Sequence, residues 1–194
     1  MARPSNADLR RRQIAAALAR LLPITGFRGA STKAIAMEAG LSAGLVHHHF
    51  NSKLEILVAV VEDLAAALTS RVPVGPLAPR ERIHAQIDAW LAPGEGAAPS
   101  AVACWAAIGA EAVRHEAVAR VYQSAVTAQI DALSEALQAA APHRSADQAQ
   151  ALAAMIQATI EGSFRLHVSA PGAIPDGRAA PTLRAMVDAW LGAR

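Results

Sequence analysis

Ser31–Lys53, STKAIAMEAGLSAGLVHHHFNSK, decides the fold, because it reads as two short helices hinged at Gly40. Ala36 is small enough to sit where two helices cross, Gly40 can take positive φ after the first helix, and Val46 anchors the second on an apolar contact. Leu41 closes the turn inward. Ser42 is the N-cap of a helix over Ala43–Phe50, and Ser52 with Glu55 forms an S-x-x-E capping box that starts another. The pattern is a helix-turn-helix.

Outward from this segment, apolar residues recur at helical spacing, alanine is abundant and β-branched alternation is scarce, so the chain is all-α with about nine helices. A first helix spans Asn6–Thr25, with Ile14, Leu18, Leu21 and Leu22 on one face, and ends at Gly26. Thr32–Ala39 and Ala43–Phe50 form the second and third, and Lys53 to Ser70 the fourth. The Pro- and Gly-rich stretch Val72–Pro79 separates domains. Breaks at Pro93–Pro99, Ala141–Arg144 and Pro171–Gly177 leave helices at Arg80–Leu91, Ser100–Val113, Ala117–Ala140, Ser145–Val168 and Pro181–Gly192. Ser145 and Gln148 make another capping box.

The net charge of +2 conceals a division. Residues 1–53 carry eight Arg or Lys against Asp8 and Glu38, a surplus of +6, and the remainder carries −4. Positive charge gathered at the helix-turn-helix end is the electrostatic footprint of a DNA-binding head. A helical interaction protein whose basic head binds an acidic partner other than DNA is the alternative.

The run Gly40-Leu41-Ser42-Ala43-Gly44-Leu45-Val46-His47-His48-His49-Phe50-Asn51-Ser52-Lys53 resembles the recognition helix and following turn of TetR-family transcriptional repressors. Arg12-Gln13-Ile14 leading to Gly26-Phe27, and Leu54-Glu55-Ile56-Leu57, fit the same pattern. The region around Trp105–Tyr122 is similar to the C-terminal domains of the choline-responsive branch. The resemblance implies a head over residues 1–52, within a family-type unit of about 8–70 that includes the linking fourth helix, and a ligand-binding and dimerisation domain over 53–194. It implies a repressor that binds a pseudo-palindromic operator as a homodimer and is released by a small-molecule effector. Ala43, Gly44, His47 and His48 fall at the duplex, with Thr32 and Lys33 from the second helix and Ser42 at the N-cap; Lys53, Lys33 and His49 hold phosphates. His47 stands where the family usually has a tyrosine that touches a phosphate, and an imidazole donates the same kind of hydrogen bond.

The penultimate helix is apolar around much of its circumference and so needs cover on more than one side. It and the last helix, with Leu183, Met186, Val187 and Trp190, are expected to pair with their copies in a second chain. Trp90, Trp105, Glu111, His115, Tyr122, Phe164 and His167 are candidate ligand-binding residues, since an apolar helical cavity with a few polar groups is the usual small-molecule site. Core packing with satisfied polar tips accounts for the same residues. Trp90, Trp105 and Tyr122 are the candidates for an aromatic cage around a choline-like cation.

Catalysis is not expected: no nucleophile elbow, zinc-protease, phosphate-loop or dinucleotide motif occurs. No cofactor or metal is implied. Consecutive helical histidines point about 100° apart and cannot converge on one ion unaided. The single Cys104 excludes an intramolecular disulfide and, among apolar neighbours, reads as a buried thiol in a reducing compartment. Arg10-Arg11-Arg12 is not followed by the apolar stretch of a signal peptide, and no run approaches the roughly 20 apolar residues of a membrane span, so a cytoplasmic location is expected.

Overall fold

The computed structural model of the chain describes residues 5–92 and 98–192. Among these lie nine helices: α1 (Asn6–Gly29), α2 (Thr32–Ala39), α3 (Ala43–His49), α4 (Lys53–Thr69), α5 (Pro79–Leu91), α6 (Pro99–Ala112), α7 (Glu116–Ala140), α8 (Ala146–Ser169) and α9 (Ala179–Gly192). The fold is all-α, with boundaries close to those predicted. The break at Pro93–Pro99 lies mostly outside the described residues; Pro99 opens α6.

Local chemistry sets these boundaries. Ser5 caps α1 through a reciprocal pair with Asp8, Oγ to the Asp8 amide at 3.1 Å and carboxylate to the Ser5 amide at 3.1 Å. Gly26 interrupts the helical backbone of α1 at φ +66°, ψ 170°, the predicted end of the first helix, and Phe27–Gly29 add one further turn. Ser145 and Gln148 form both bonds of the predicted box. The box expected at α4 is only half formed. The Ser52 hydroxyl accepts the Glu55 amide at 3.1 Å, but the Glu55 carboxylate reaches past Ser52 to accept the Asn51 amide at 2.9 Å.

The chain divides into two compact units. One comprises the described residues of Met1–Ala66 with Ala103–Gln123; the other, those of Ala67–Val102 with Ser124–Arg194. The first buries Ile14, Leu18, Leu22, Ile35, Val46, Phe50, Ile56 and Leu57 beside Trp105 and Ile108 from its second segment. In the second, α9 packs on α5 and α8, burying Leu183 and Val187 with Ile83, Ile87, Ile156 and Ile160.

That burial corrects the expected role of Leu183 and Val187 at a surface between two chains. They are spent inside their own chain, 4% and 1% exposed, while Met186 on the same helix is 61% exposed. Two ionic clusters reinforce α5 against α9. Asp188 accepts a forked pair from Arg80 at 2.7 and 2.8 Å and faces His84 at 2.9 Å; Arg184 donates to Asp88 at 2.6 Å. Among the described residues no helix is long and apolar enough to cross a membrane.

Candidate nucleic-acid interface and ligand cavity

The turn between α2 and α3 follows from Gly40. At φ +65°, ψ 34° its amide turns back on the Ala36 and Met37 carbonyls, and the Leu41 amide bonds the Ala36 carbonyl at 2.9 Å, closing α2 as a Schellman-type cap. Ser31 and Ser42 cap the two helices, accepting the amides of Ala34 at 3.1 Å and Leu45 at 3.2 Å. Ala36 and Val46 are buried at the crossing, as their sizes required.

This burial fixes what α3 shows outward. Ser42, Ala43, Gly44, His47 and His48 are exposed, and His49 is half-buried with its ring edge-on to His48 at 5.2 Å. On α2, Thr32 is half-buried and Lys33 is exposed, with no hydrogen bond or ion pair to a described residue. The exposed positions of α3 have short or planar side chains, which suit close approach and methyl contact better than a long-armed hydrogen-bond code.

Three other cations of the head are engaged within the fold. Lys53 donates to the Phe27 carbonyl at 2.5 Å and sits 4.4 Å from the centre of that ring, so it ties α4 to the end of α1. Arg20 pairs with Glu38 at 2.5 Å. Arg11 donates to the His49 carbonyl and to Glu55, with its guanidinium 4.0 Å above the Phe50 ring. Gln13 donates to the Ala39 carbonyl at 2.6 Å. Sequence reasoning did not find these contacts, and the only signal for them was polar residues interrupting the apolar face of α1.

Among the described residues no group of three or more His, Cys, Asp or Glu is placed to hold a metal ion. Cys104 is buried and its thiol is pushed up to about 12 by burial, which keeps it protonated and unreactive.

The seven candidate ligand residues fall into two groups. In the first unit Trp105 is buried with its ring 5.0 Å from that of Tyr122, Glu111 lies 3.5 Å from His115, and His115 meets the Phe27 ring edge-on at 5.4 Å. In the second, Trp90 stacks parallel to Phe164 at 6.2 Å, and both line a cavity of about 830 Å³ with His167, Val102, Leu166 and Asp176. The Trp90 indole nitrogen is buried without an acceptor among the described residues.

Comparison with known proteins agrees with this arrangement. Residues 14–60 match the bacterial regulatory proteins of the tetR family, and residues 79–192 match the C-terminal domain of BetI-type transcriptional repressors. The HTH-type transcriptional regulator BetI of Rhizobium meliloti (strain 1021) is 31% identical over 80% of this chain and 76% of its own. A transcriptional regulator from Rhodococcus sp. Rha1 superposes with a TM-score of 0.79 at 25% identity, over 92% of this chain and 94% of that one. A regulator from Saccharomonospora viridis, solved in complex with choline, shares the fold with a TM-score of 0.71 at 19% identity, over 93% of this chain and 94% of that one. These relatives are transcriptional regulators, and none supports a head that binds an acidic partner other than DNA. With an exposed α3 set by the Gly40 turn at one end and a BetI-type domain at the other, the chain belongs to the TetR family as a DNA-binding, ligand-responsive transcriptional repressor.

Proposed function

We propose that α3 enters the major groove of a pseudo-palindromic operator, with Ala43, Gly44 and His48 against the bases and Thr32, Lys33, Ser42, His47, His49 and Lys53 at the phosphates. The observation that carries this reading is the outward face of α3, exposed at Ala43, Gly44, His47 and His48, beside an exposed Lys33 that has no hydrogen bond or ion pair to a described residue. The capped N-termini of α2 and α3 add amide dipoles that favour anions. Lys53 keeps donors for a phosphate beyond the one spent on Phe27.

A homodimer through α8 and α9 supplies the second head. Support comes from the faces left open: Met155 is 63% exposed on α8, beside exposed Ala151 and Ala158, and Met186 lies between exposed Ala185 and Ala189 on α9. Small residues allow close helix approach, and two heads about 34–36 Å apart then meet successive major grooves. An effector is held in the second unit by Trp90, Phe164 and His167, where the buried indole N–H favours a ligand with a hydrogen-bond acceptor. Trp105, Glu111, His115 and Tyr122 belong to the segment that packs with the head, so they act as the route by which effector binding changes head spacing.

Electrophoretic shift with the DNA flanking the gene, against random duplex, is the test. Lys33→Ala and His47→Ala should each weaken the specific complex, and Lys33→Ala should lower the slope of log affinity against log salt by about one. Unchanged affinity in both variants would remove α3 from the groove. Calorimetric titration with choline tests the effector class, and an absence of heat excludes a quaternary ammonium ligand against the stacked rings of Trp90 and Phe164.

A further inference from the structure

We infer that Arg11 is a positioning residue for DNA binding: it does not touch the duplex but fixes the far end of α3 and the turn into α4. This rests on the reading that α3 enters the groove. In the sequence Arg11 is only the middle of a basic run, Arg10-Arg11-Arg12, the kind of side chain a phosphate attracts. The structure commits its guanidinium elsewhere.

Its three engagements converge on one corner. One Nη1–H is given to the His49 carbonyl, among the last of α3 and without an amide partner of its own along the helix. Nη2 is 3.2 Å from Glu55 Oε1, and the guanidinium plane lies over the ring of Phe50, which is 2% exposed. The other Glu55 oxygen accepts the Asn51 amide at 2.9 Å and the Asn51 side chain at 3.2 Å. His49, Phe50, Asn51 and Glu55 are thus tied to α1 through one side chain. The planar fork of arginine makes this possible, because it can serve a carbonyl and a carboxylate while stacking on a ring.

Two further residues of α1 act on α2 in the same sense. Gln13 donates to the Ala39 carbonyl and Arg20 reaches Glu38. At seven and eight residues, α3 and α2 are too short to hold their own ends. Donors from α1 hold the C-terminal ends, while Ser31 and Ser42 cap the N-terminal ends locally.

The test uses the full-length protein and the operator fragment from the shift experiment, with affinity measured over a range of salt. Arg11→Ala should weaken operator binding about tenfold or more, the scale of losing a charge-assisted hydrogen bond, with binding to random duplex and the salt slope unchanged. Lys33→Ala is the contrast, with its slope lowered by about one. In free protein, hydrogen exchange across residues 47–55 should quicken in Arg11→Ala while the Ala39 end of α2 keeps its protection. Arg11→Lys, which offers a point charge but no fork, should recover only part of the affinity. If Arg11→Ala fails to fold, Glu55→Gln gives the same reading, a smaller loss of affinity at unchanged slope.

A fall in salt slope by about one in Arg11→Ala, with equal weakening on random duplex, would make Arg11 a phosphate contact and overturn the inference. Unchanged exchange over 47–55 would overturn it without reference to DNA. Failure of the groove reading looks different: Lys33→Ala and His47→Ala would then bind normally, whatever Arg11 does.

Discussion

The helix-turn-helix and the α5–α9 pair are both held by polar and charged side chains, but the contacts do different work. In the head, Arg11, Gln13 and Lys53 donate to backbone carbonyls at His49, Ala39 and Phe27. Across α5 and α9 the contacts join side chain to side chain, Arg80 and His84 to Asp188 and Arg184 to Asp88. A bond to a carbonyl fixes the backbone itself, which a short helix presented to DNA requires. A pair of long side chains selects which helices meet and leaves their register to the core, as Leu183, Val187, Ile83 and Ile87 supply it.

The largest test of this difference removes the ring under Arg11. Phe50→Ala should cost about 3–5 kcal/mol of unfolding free energy in denaturant titration, since it deletes a buried aromatic at the α3–α4 corner. A cost under about 1 kcal/mol would mean that the corner is not anchored in the core and would break the comparison.

Two glycines sharpen it next. Gly40→Ala meets no atom within 4 Å, so its penalty is purely that of the left-handed backbone, roughly 1–2 kcal/mol. Gly44, four residues on, is helical and has only the Ser42 hydroxyl at 4.0 Å, so Gly44→Ala should stabilise by up to about 1 kcal/mol. Calorimetric melting of the two variants must give opposite signs. The same sign in both would deny that Gly40 is the conformational hinge.

The smallest effect belongs to the other region. The hydrogen bond from Arg80, then those from His84 and the charges of both, hold the Asp188 carboxyl below its ordinary 3.8, against the opposing effect of burial. A carboxyl depressed on folding adds stability that is full above its unfolded value and is lost as pH falls through the folded one. Melting temperature should therefore fall below pH 4 more steeply in the wild type than in Asp188→Asn, which starts lower at pH 7 by about 1 kcal/mol or less. Parallel acid profiles would show that Asp188 does not tie α9 to α5.

Features set by neighbouring residues are legible in the sequence, and the departures share a cause. Gly26 and Gly40 both carry positive φ where a helix was expected to stop. Ser42 and Ser145 cap where their spacing placed them, because a cap needs only its next three residues. The α4 box went wrong because Glu55 had a better offer: the Asn51 amide, with Arg11 from 44 residues away completing the site. The exposure of His47 and His48 was legible because Val46 had to turn inward.

The sequence by itself determined that the chain is helical, where most of the described helices start and stop, and that a basic helix-turn-helix stands at one end, because helical period, caps and glycines act within a turn or two of the chain. Only the tertiary structure decided which basic residues remain open and which are consumed. Arg11, Arg20 and Lys53 look alike with Lys33 in composition, yet the first three have partners 18 to 44 residues distant and Lys33 has none described. It likewise turned Leu183 and Val187 inward and left Met186 out. Periodicity marks which residues of a helix share a face, but whether that face is covered by its own chain depends on where helices remote in sequence come to rest.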